Sequence, residues 1–287
     1  MSTVKQNSLQ AKRVATVPYW RVFLTFARNS LVRDMTFRAN FLIETVTAIG
    51  WMSMNLAFYL LVFQYTKSIG AGTGWEKYEF FVFMATYLSI NSIVQAFFMP
   101  NANEFGELIR TGGLDFALLK PIDTQFLISF QKIEWSALSN LAIASILLGY
   151  SLWRLEYHPG WFEVILYPFY VACGVAILYS LIIAMAAVSV WLGRNESLYD
   201  FWFYITNFSR YPMEIYQGSF GTPLRGFFTY IVPVLIVVNV PARLLAKALQ
   251  PEEWRLAVIA VVLTATSLAL SRWTFKKALL SYRSASS

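Results

Sequence analysis

Residues 39–66 read ANFLIETVTAIGWMSMNLAFYLLVFQYT, and Glu44 is the only charged residue among them. Crossing about 30 Å of hydrocarbon takes roughly 20 apolar residues in a helix, the one single-segment structure that satisfies its own backbone hydrogen bonds in lipid. Similar apolar stretches recur along the chain, at 80–103, 135–153 and 164–193, with shorter ones at 226–242 and 256–271. The sequence therefore predicts an all-α, polytopic membrane protein.

The composition excludes most other classes of protein. Hydrophobic residues make up 57% of the chain and charged residues only 14%, and the apolar residues occur in blocks. The one cysteine and the one histidine cannot form a disulfide or a shared metal site, so we expect no metal or other cofactor. The spans contain almost no ionisable residues of the kind a membrane enzyme needs, and we therefore expect a protein that is not an enzyme.

The net charge of +7 has a membrane explanation. Seven of the 23 basic residues precede the first apolar block, where lysine and arginine usually anchor a cytoplasmic flank to anionic headgroups. No basic groove with interleaved aromatic residues is apparent, so we expect no nucleic-acid partner. Within this basic region, residues 17–38 have apolar side chains at helical spacing with arginines between them. This pattern is typical of an amphipathic helix that lies on the membrane surface.

The apolar pattern predicts spans at about 40–63, 79–100, 134–153, 162–192 and 256–274. Two topologies fit residues 194–254. In the first, 197–213 crosses the membrane and 226–242, interrupted by Pro233 and Pro241, forms a re-entrant pair on the exoplasmic side. In the second, 194–223 stays cytoplasmic and 226–247 is the fifth crossing, kinked at Pro233. The distribution of positive charge favours the second. Both give six spans and cytoplasmic termini.

Uncharged polar residues line one face of each of the first two predicted spans. They are Asn55 in the first span, and Tyr87, Asn91 and Gln95 at i, i+4 and i+8 in the second. Hydrogen bonds between helices would explain these faces. A moderately polar pathway for an amphiphilic solute would explain them equally well.

In the predicted fourth span, small residues recur every four positions, at Ala172, Ala176, Ser180 and Ala184. The spacing predicts a close helix–helix contact along this face. Lining a substrate pathway is the alternative use of the same face.

The connection 101–125 is the longest polar segment between predicted spans, and short amphipathic turns within it are split by Gly112 and Gly113 and stopped by Pro121. A loop that only joined two spans could be far shorter. No segment can hydrolyse ATP, so any active transport must draw on a partner, and we expect that partner to bind here.

The same connection carries a family resemblance. Ile109, Arg110, Gly113, Leu114, Asp115, Leu118, Leu119 and Pro121 fit the pattern I-R-x-G-x-L-D-x-x-L-L-x-P of six-span bacterial permeases of the ABC-2 export type. A second similar stretch comprises Arg210-Tyr211-Pro212, Ile231-Val232-Pro233 and Pro241. The chain resembles this family over nearly its whole length.

The resemblance implies a half-transporter in the bacterial cytoplasmic membrane. Two permeases, either identical copies or paralogues, would pair around a central pathway in the lipid bilayer. Each would dock on one of two copies of a cytoplasmic ABC ATPase, which binds the ATP. The segment after Pro212 resembles the exoplasmic re-entrant element, which favours the first topology.

The resemblance also divides the chain. Residues 1–38 would form a cytoplasmic tail and interfacial connecting helix, 39–275 the transmembrane domain with its coupling loop at 101–125, and 276–287 a cytoplasmic tail. The resemblance places ATPase coupling on Glu107, Arg110, Asp115, Leu118 and Lys120. It implies an exporter. From the moderately polar faces of the first two predicted spans, we expect an amphiphilic, lipid-like or drug-like substrate. The alternatives are an ATP-independent channel or carrier, and a membrane-embedded assembly scaffold.

Overall fold

The computed structural model describes residues 18–70, 72–192, 196–247 and 251–282. Most of the predicted N-terminal tail, at 1–17, and the end of the C-terminal tail, at 283–287, lie outside the described residues. Within the described ranges the regular structure is helical, apart from one isolated β-bridge between Ser68 and Glu76. This confirms the predicted all-α class.

Twelve α-helices are described in these ranges. They are α1 (Tyr19–Thr36), α2 (Arg38–Tyr65), α3 (Lys77–Phe97), α4 (Met99–Thr111), α5 (Leu114–Leu118), α6 (Thr124–Phe130), α7 (Ala137–Arg154), α8 (Trp161–Leu192), α9 (Glu196–Asn207), α10 (Gly218–Gly226), α11 (Val234–Ala246) and α12 (Pro251–Ser281). Short 3₁₀ turns at Phe208–Arg210 and Met213–Ile215 join α9 to α10, and a π-helical turn at Phe227–Ile231 extends α10.

Four helical segments are long and apolar enough to cross a membrane: α2, the near-continuous α3–α4, α8 and most of α12. A fifth candidate is the pair Gly218–Ile231 and Val234–Ala246, whose two arms meet at an angle of 86°. The break falls at Pro233, as the sequence predicts. A bend of this size is much larger than the kink that the second topology requires.

The remaining predicted spans are short helices. α9 has 12 residues and is therefore about 18 Å long, less than the hydrocarbon thickness. α7 has 18 residues, or about 27 Å, and packs lengthwise against α3. The count of six spans stays a prediction.

α8 and α11 form the centre of the structure. α8 contacts α3, α4, α9, α11 and α12. Almost every residue of α11 is buried although the helix contains Pro241, and its neighbours α3, α8 and α12 surround it. A smaller apolar cluster joins α4, α5 and α6 to the ends of α8 and α12, through Phe105, Leu114, Ala117, Leu127, Ile183 and Phe275.

α8 approaches α11 closely at Gly174. A Cβ atom at this position would lie 2.8 Å from the carbonyl oxygen of Val237 and 3.0 Å from its Cγ1. The predicted small-residue face is packed only in part, since Ser180 is buried. Ala172 is exposed and, with Ala176, lines an apolar groove between α3, α7 and α8, whereas the fully buried Leu178 belongs to the packed face.

We predict that Gly174→Ala destabilises the protein by about 1–3 kcal/mol, because the added methyl group meets backbone rather than a flexible side chain. Gly149→Ala in α7 is the matched control, since nothing lies within 4 Å of its added Cβ. The control should be neutral or stabilising by up to about 1 kcal/mol. Melting temperatures in detergent measure both changes, and equal effects at the two glycines would contradict the assigned contact.

Candidate functional site

A cavity of about 310 Å³ opens between α2, α3 and α7. Its lining includes all four residues of the predicted polar faces, Asn55, Tyr87, Asn91 and Gln95. Asn140 of α7 and Arg210 add further polar groups, and Trp51, Met52, Phe80, Met84 and Leu88 supply apolar surface. The two polar faces therefore meet in one space.

The asparagine side chains are held by their own helices. The Asn55 Nδ2 donates to the carbonyl oxygen of Trp51 at 2.7 Å, and the Asn91 Nδ2 donates to that of Tyr87 at 3.1 Å. Such bonds to the residue four positions earlier fix the orientation of the amide. The Asn55 Oδ1 is left to accept a hydrogen bond from outside the helix.

Arg210 donates that bond. Its Nη2 lies 3.3 Å from the Asn55 Oδ1, and its guanidinium lies 6.0 Å from the ring centre of Tyr87. Asn55 lies ten residues before the end of α2, and Tyr87 ten residues after the start of α3. Each count places Arg210 about 15 Å along the helices from the end of the bundle at which α2 ends and α3 begins.

Sequence reasoning missed Arg210, because it treated the arginine as a flanking charge and a family motif residue. The sequence does contain a signal for Arg210, because this ionisable residue follows a short apolar helix by three positions. A charge within the membrane is costly and is usually functional. Asn140, in the predicted third span, was also missed.

Two contacts hold the segment that follows Arg210 against α11. The backbone N–H of Met213 donates to the Oδ1 of the buried Asn239 at 3.0 Å. The carboxylate of Glu214 pairs with Arg243 and accepts a hydrogen bond from the indole Nε1 of Trp75 at 2.8 Å. The position of Arg210 thus depends on α11.

The predicted coupling residues lie at the other end of the bundle, on α4, α5 and the turn after them. Gly112 caps the C-terminal end of α4, and its φ of 74° is the left-handed conformation that favours glycine. Glu107 and Arg110 form an exposed ion pair at 2.5 Å. Leu118 and Lys120 are exposed, and Asp115 is half-buried beside Tyr282.

Two exposed apolar residues extend this surface. Phe116 and Leu119 are 73% and 81% exposed, in the same short segment whose Leu114 and Ala117 are buried. We call the exposed residues Glu107, Arg110, Phe116, Leu118, Leu119 and Lys120 the α4–α5 surface. Sequence reasoning placed Leu119 in the motif and did not single out Phe116 as a surface residue.

An ion pair and a polar network fix the loop that supports this surface. Arg272 of α12 donates to the Asp123 Oδ1 at 3.0 Å and to the Gln125 Oε1 at 2.6 Å. The nearby guanidinium lowers the pKa of the Asp123 carboxyl. The buried Asn101 donates to the carbonyl oxygen of Lys132 at 2.7 Å and accepts from its N–H at 2.8 Å.

Comparison with protein families finds a match over most of the chain. The model described as "ABC-2 family transporter protein" matches residues 49–286, and the chain belongs to this family. It is therefore a multi-pass membrane protein and a membrane permease of an ABC transporter. Comparisons with curated proteins and with solved structures find no significant match.

We predict that Asn101→Ala destabilises the protein by about 2–4 kcal/mol, because it removes a buried amide and leaves the half-buried N–H and carbonyl of Lys132 without these bonds. Asn103→Ala, an exposed position on the same helix, should change stability by less than about 0.5 kcal/mol. Melting temperatures in detergent compare the two. If both variants melted with the wild type, Asn101 would not be what secures the loop.

Proposed function

We propose that the protein is the permease subunit of an ATP-driven exporter, and that a separate cytoplasmic ATPase powers it. The observation that carries this proposal is the α4–α5 surface. It combines exposed apolar side chains with charges of both signs, and a buried apolar cluster attaches it rigidly to α8 and α12. Exposed apolar residues surrounded by charged residues are typical of a protein-binding surface.

The cavity between α2, α3 and α7 is proposed as part of the pathway for an amphiphilic, lipid-like or drug-like substrate. Its mixture of amide groups and apolar side chains supports this choice, and its volume of about 310 Å³ is at the lower end of small-molecule sites. We expect a second permease, either a copy or a paralogue, to complete the pathway. The sparsely buried α2 supports a partner on this side.

We propose that the protein lies in a bacterial cytoplasmic membrane with both termini in the cytoplasm, six spans and α1 on the membrane surface. Trp20, Leu24, Leu31 and Met35 of α1 are exposed along one side. The opposite side contacts the loop before α7, where the Ser30 Oγ accepts from the N–H of Ile133 at 3.0 Å. The exposed apolar stripe of α1 supports contact of this helix with lipid.

The bent pair of α10 and α11 is proposed as the exoplasmic re-entrant element. The chain breaks its helical hydrogen bonding at Val232 and Pro233, and protein surrounds the second arm. Non-helical backbone at membrane depth is tolerated only where protein or water satisfies it. The bend of 86° favours a return to the same side over a crossing.

We predict that Leu118→Asp and Arg110→Glu leave the permease folded in the membrane but reduce co-purification of the ATPase at least tenfold. A carboxylate introduced on the α4–α5 surface would lose its hydration against the ATPase without gaining a partner. The permease is purified from its native membrane, and the Walker-motif protein that accompanies it is quantified together with its ATP hydrolysis.

Tyr65→Asp is the matched control, because Tyr65 is 82% exposed at the opposite end of the bundle. It should retain the ATPase at the wild-type level. Full binding and hydrolysis in both surface variants would overturn the coupling assignment. A wild-type permease that moved substrate without any ATPase would indicate a channel or carrier. One that moved no substrate even with the ATPase and ATP present would indicate an assembly scaffold.

A further inference from the structure

Among the residues that the structure describes, Arg210 is the only charged residue in the lining of the cavity, and none of the lining residues is acidic. By contrast, Arg243 of α11 pairs with Glu214, and Arg272 of α12 pairs with Asp123. The ion pairs among the described residues do not include Arg210.

The contacts of Arg210 are neutral and long. Its Nη2 and Nη1 lie 3.3 Å and 3.5 Å from the side-chain oxygens of Asn55 and Asn207, and Tyr87 offers only its ring face. A guanidinium has five N–H donors in a planar fork that matches a carboxylate or a phosphate. Most of the N–H donors of Arg210 therefore face neutral groups or the cavity.

Charge at this depth is not strongly screened. The half-buried Arg210 lies beside Asn55 in the interior of the bundle, where the effective dielectric constant is lower than in water and a charge acts over a longer range. The positive potential in the cavity therefore attracts anions and opposes cations. Electrostatic complementarity of this kind gives specificity as well as affinity.

We propose that the amphiphile bound in this cavity is anionic, and that Arg210 binds its acidic group. The inference rests on the proposed pathway and names the substrate class. A phosphate or carboxylate would take the guanidinium fork, and the amides of Asn91, Gln95 and Asn140 would contact the polar linker. The apolar body would lie against Trp51 and Met84.

Dodecyl phosphate and dodecyltrimethylammonium test the proposal, since they share a chain and differ in charge. The purified permease is placed in phosphatidylcholine nanodiscs, and binding is followed by the fluorescence change that is lost in Trp51→Phe, because Trp51 lines the cavity. We expect dodecyl phosphate to bind at least tenfold more tightly than the cation. Inorganic phosphate should not displace it at equal concentration.

Arg210→Gln should abolish the preference for the anion, and Arg210→Lys should keep most of it. Arg154→Gln removes an exposed arginine outside the cavity and should behave as the wild type. Asn55→Asp gives a second test if Arg210→Gln fails to fold. The new carboxylate would lie beside the guanidinium of Arg210 and should weaken the binding of dodecyl phosphate at least tenfold.

The outcomes separate this inference from the proposed function. Tight anion binding that survives both Arg210→Gln and Asn55→Asp, or a wild-type preference for the cation, would overturn the inference and leave the pathway intact. If inorganic phosphate displaced dodecyl phosphate at equal concentration, the ligand of Arg210 would be a free anion and not an amphiphile. If no amphiphile of either charge gave the Trp51 signal, the cavity would not bind substrate, and the pathway proposal would fail as well.

Discussion

The close contact of α8 with α11 at Gly174 determines much of the structure. α11 follows a break in helical hydrogen bonding, and such a break is tolerated inside a membrane only where protein encloses it. Because Gly174 has no side chain, α8 approaches the backbone at Val237 and helps to enclose α11. The buried α11 then presents Asn239 to the N–H of Met213. That bond fixes the chain three residues after Arg210. The position of the Arg210 guanidinium in the cavity therefore depends on the contact between α8 and α11.

The cavity and the α4–α5 surface are connected by one nearly continuous helical segment. α3 carries Tyr87, Asn91 and Gln95 on the cavity side, and α4 continues from Met99 to the exposed Glu107. Gln95 and Glu107 are 12 residues apart, which corresponds to about 18 Å along a helix. A tilt of α4 caused by a bound ATPase is therefore expected to reach the cavity face of α3 directly.

The sequence was sufficient for features that depend on local pattern. Apolar blocks identified α2, α3, α8 and α12, Pro233 identified the break before α11, and Gly112 identified the end of α4. The polar stripe of Tyr87, Asn91 and Gln95 was found because helical spacing puts these residues on one face. The family resemblance drew attention to residues 109–121.

Features that depend on tertiary contacts could not be predicted in this way. The small residues of α8 indicated close packing, but the sequence does not show which face meets α11, and Gly174 lies outside the predicted stripe. Arg210 looked like a flanking charge, since nothing in the neighbouring residues shows that the chain returns to Asn55. The size of the bend at Pro233 follows from the surrounding helices rather than from the proline.

The most direct test of the account is transport by proteoliposomes that contain the permease and its ATPase, with Asn91→Trp compared with the wild type. The indole would fill part of the cavity of about 310 Å³ and lies far from the α4–α5 surface. The account predicts that ATP-driven movement of a fluorescent dodecyl phosphate analogue falls to background while the ATPase stays bound. Wild-type transport by the blocked variant would contradict the claim that the substrate passes through this cavity.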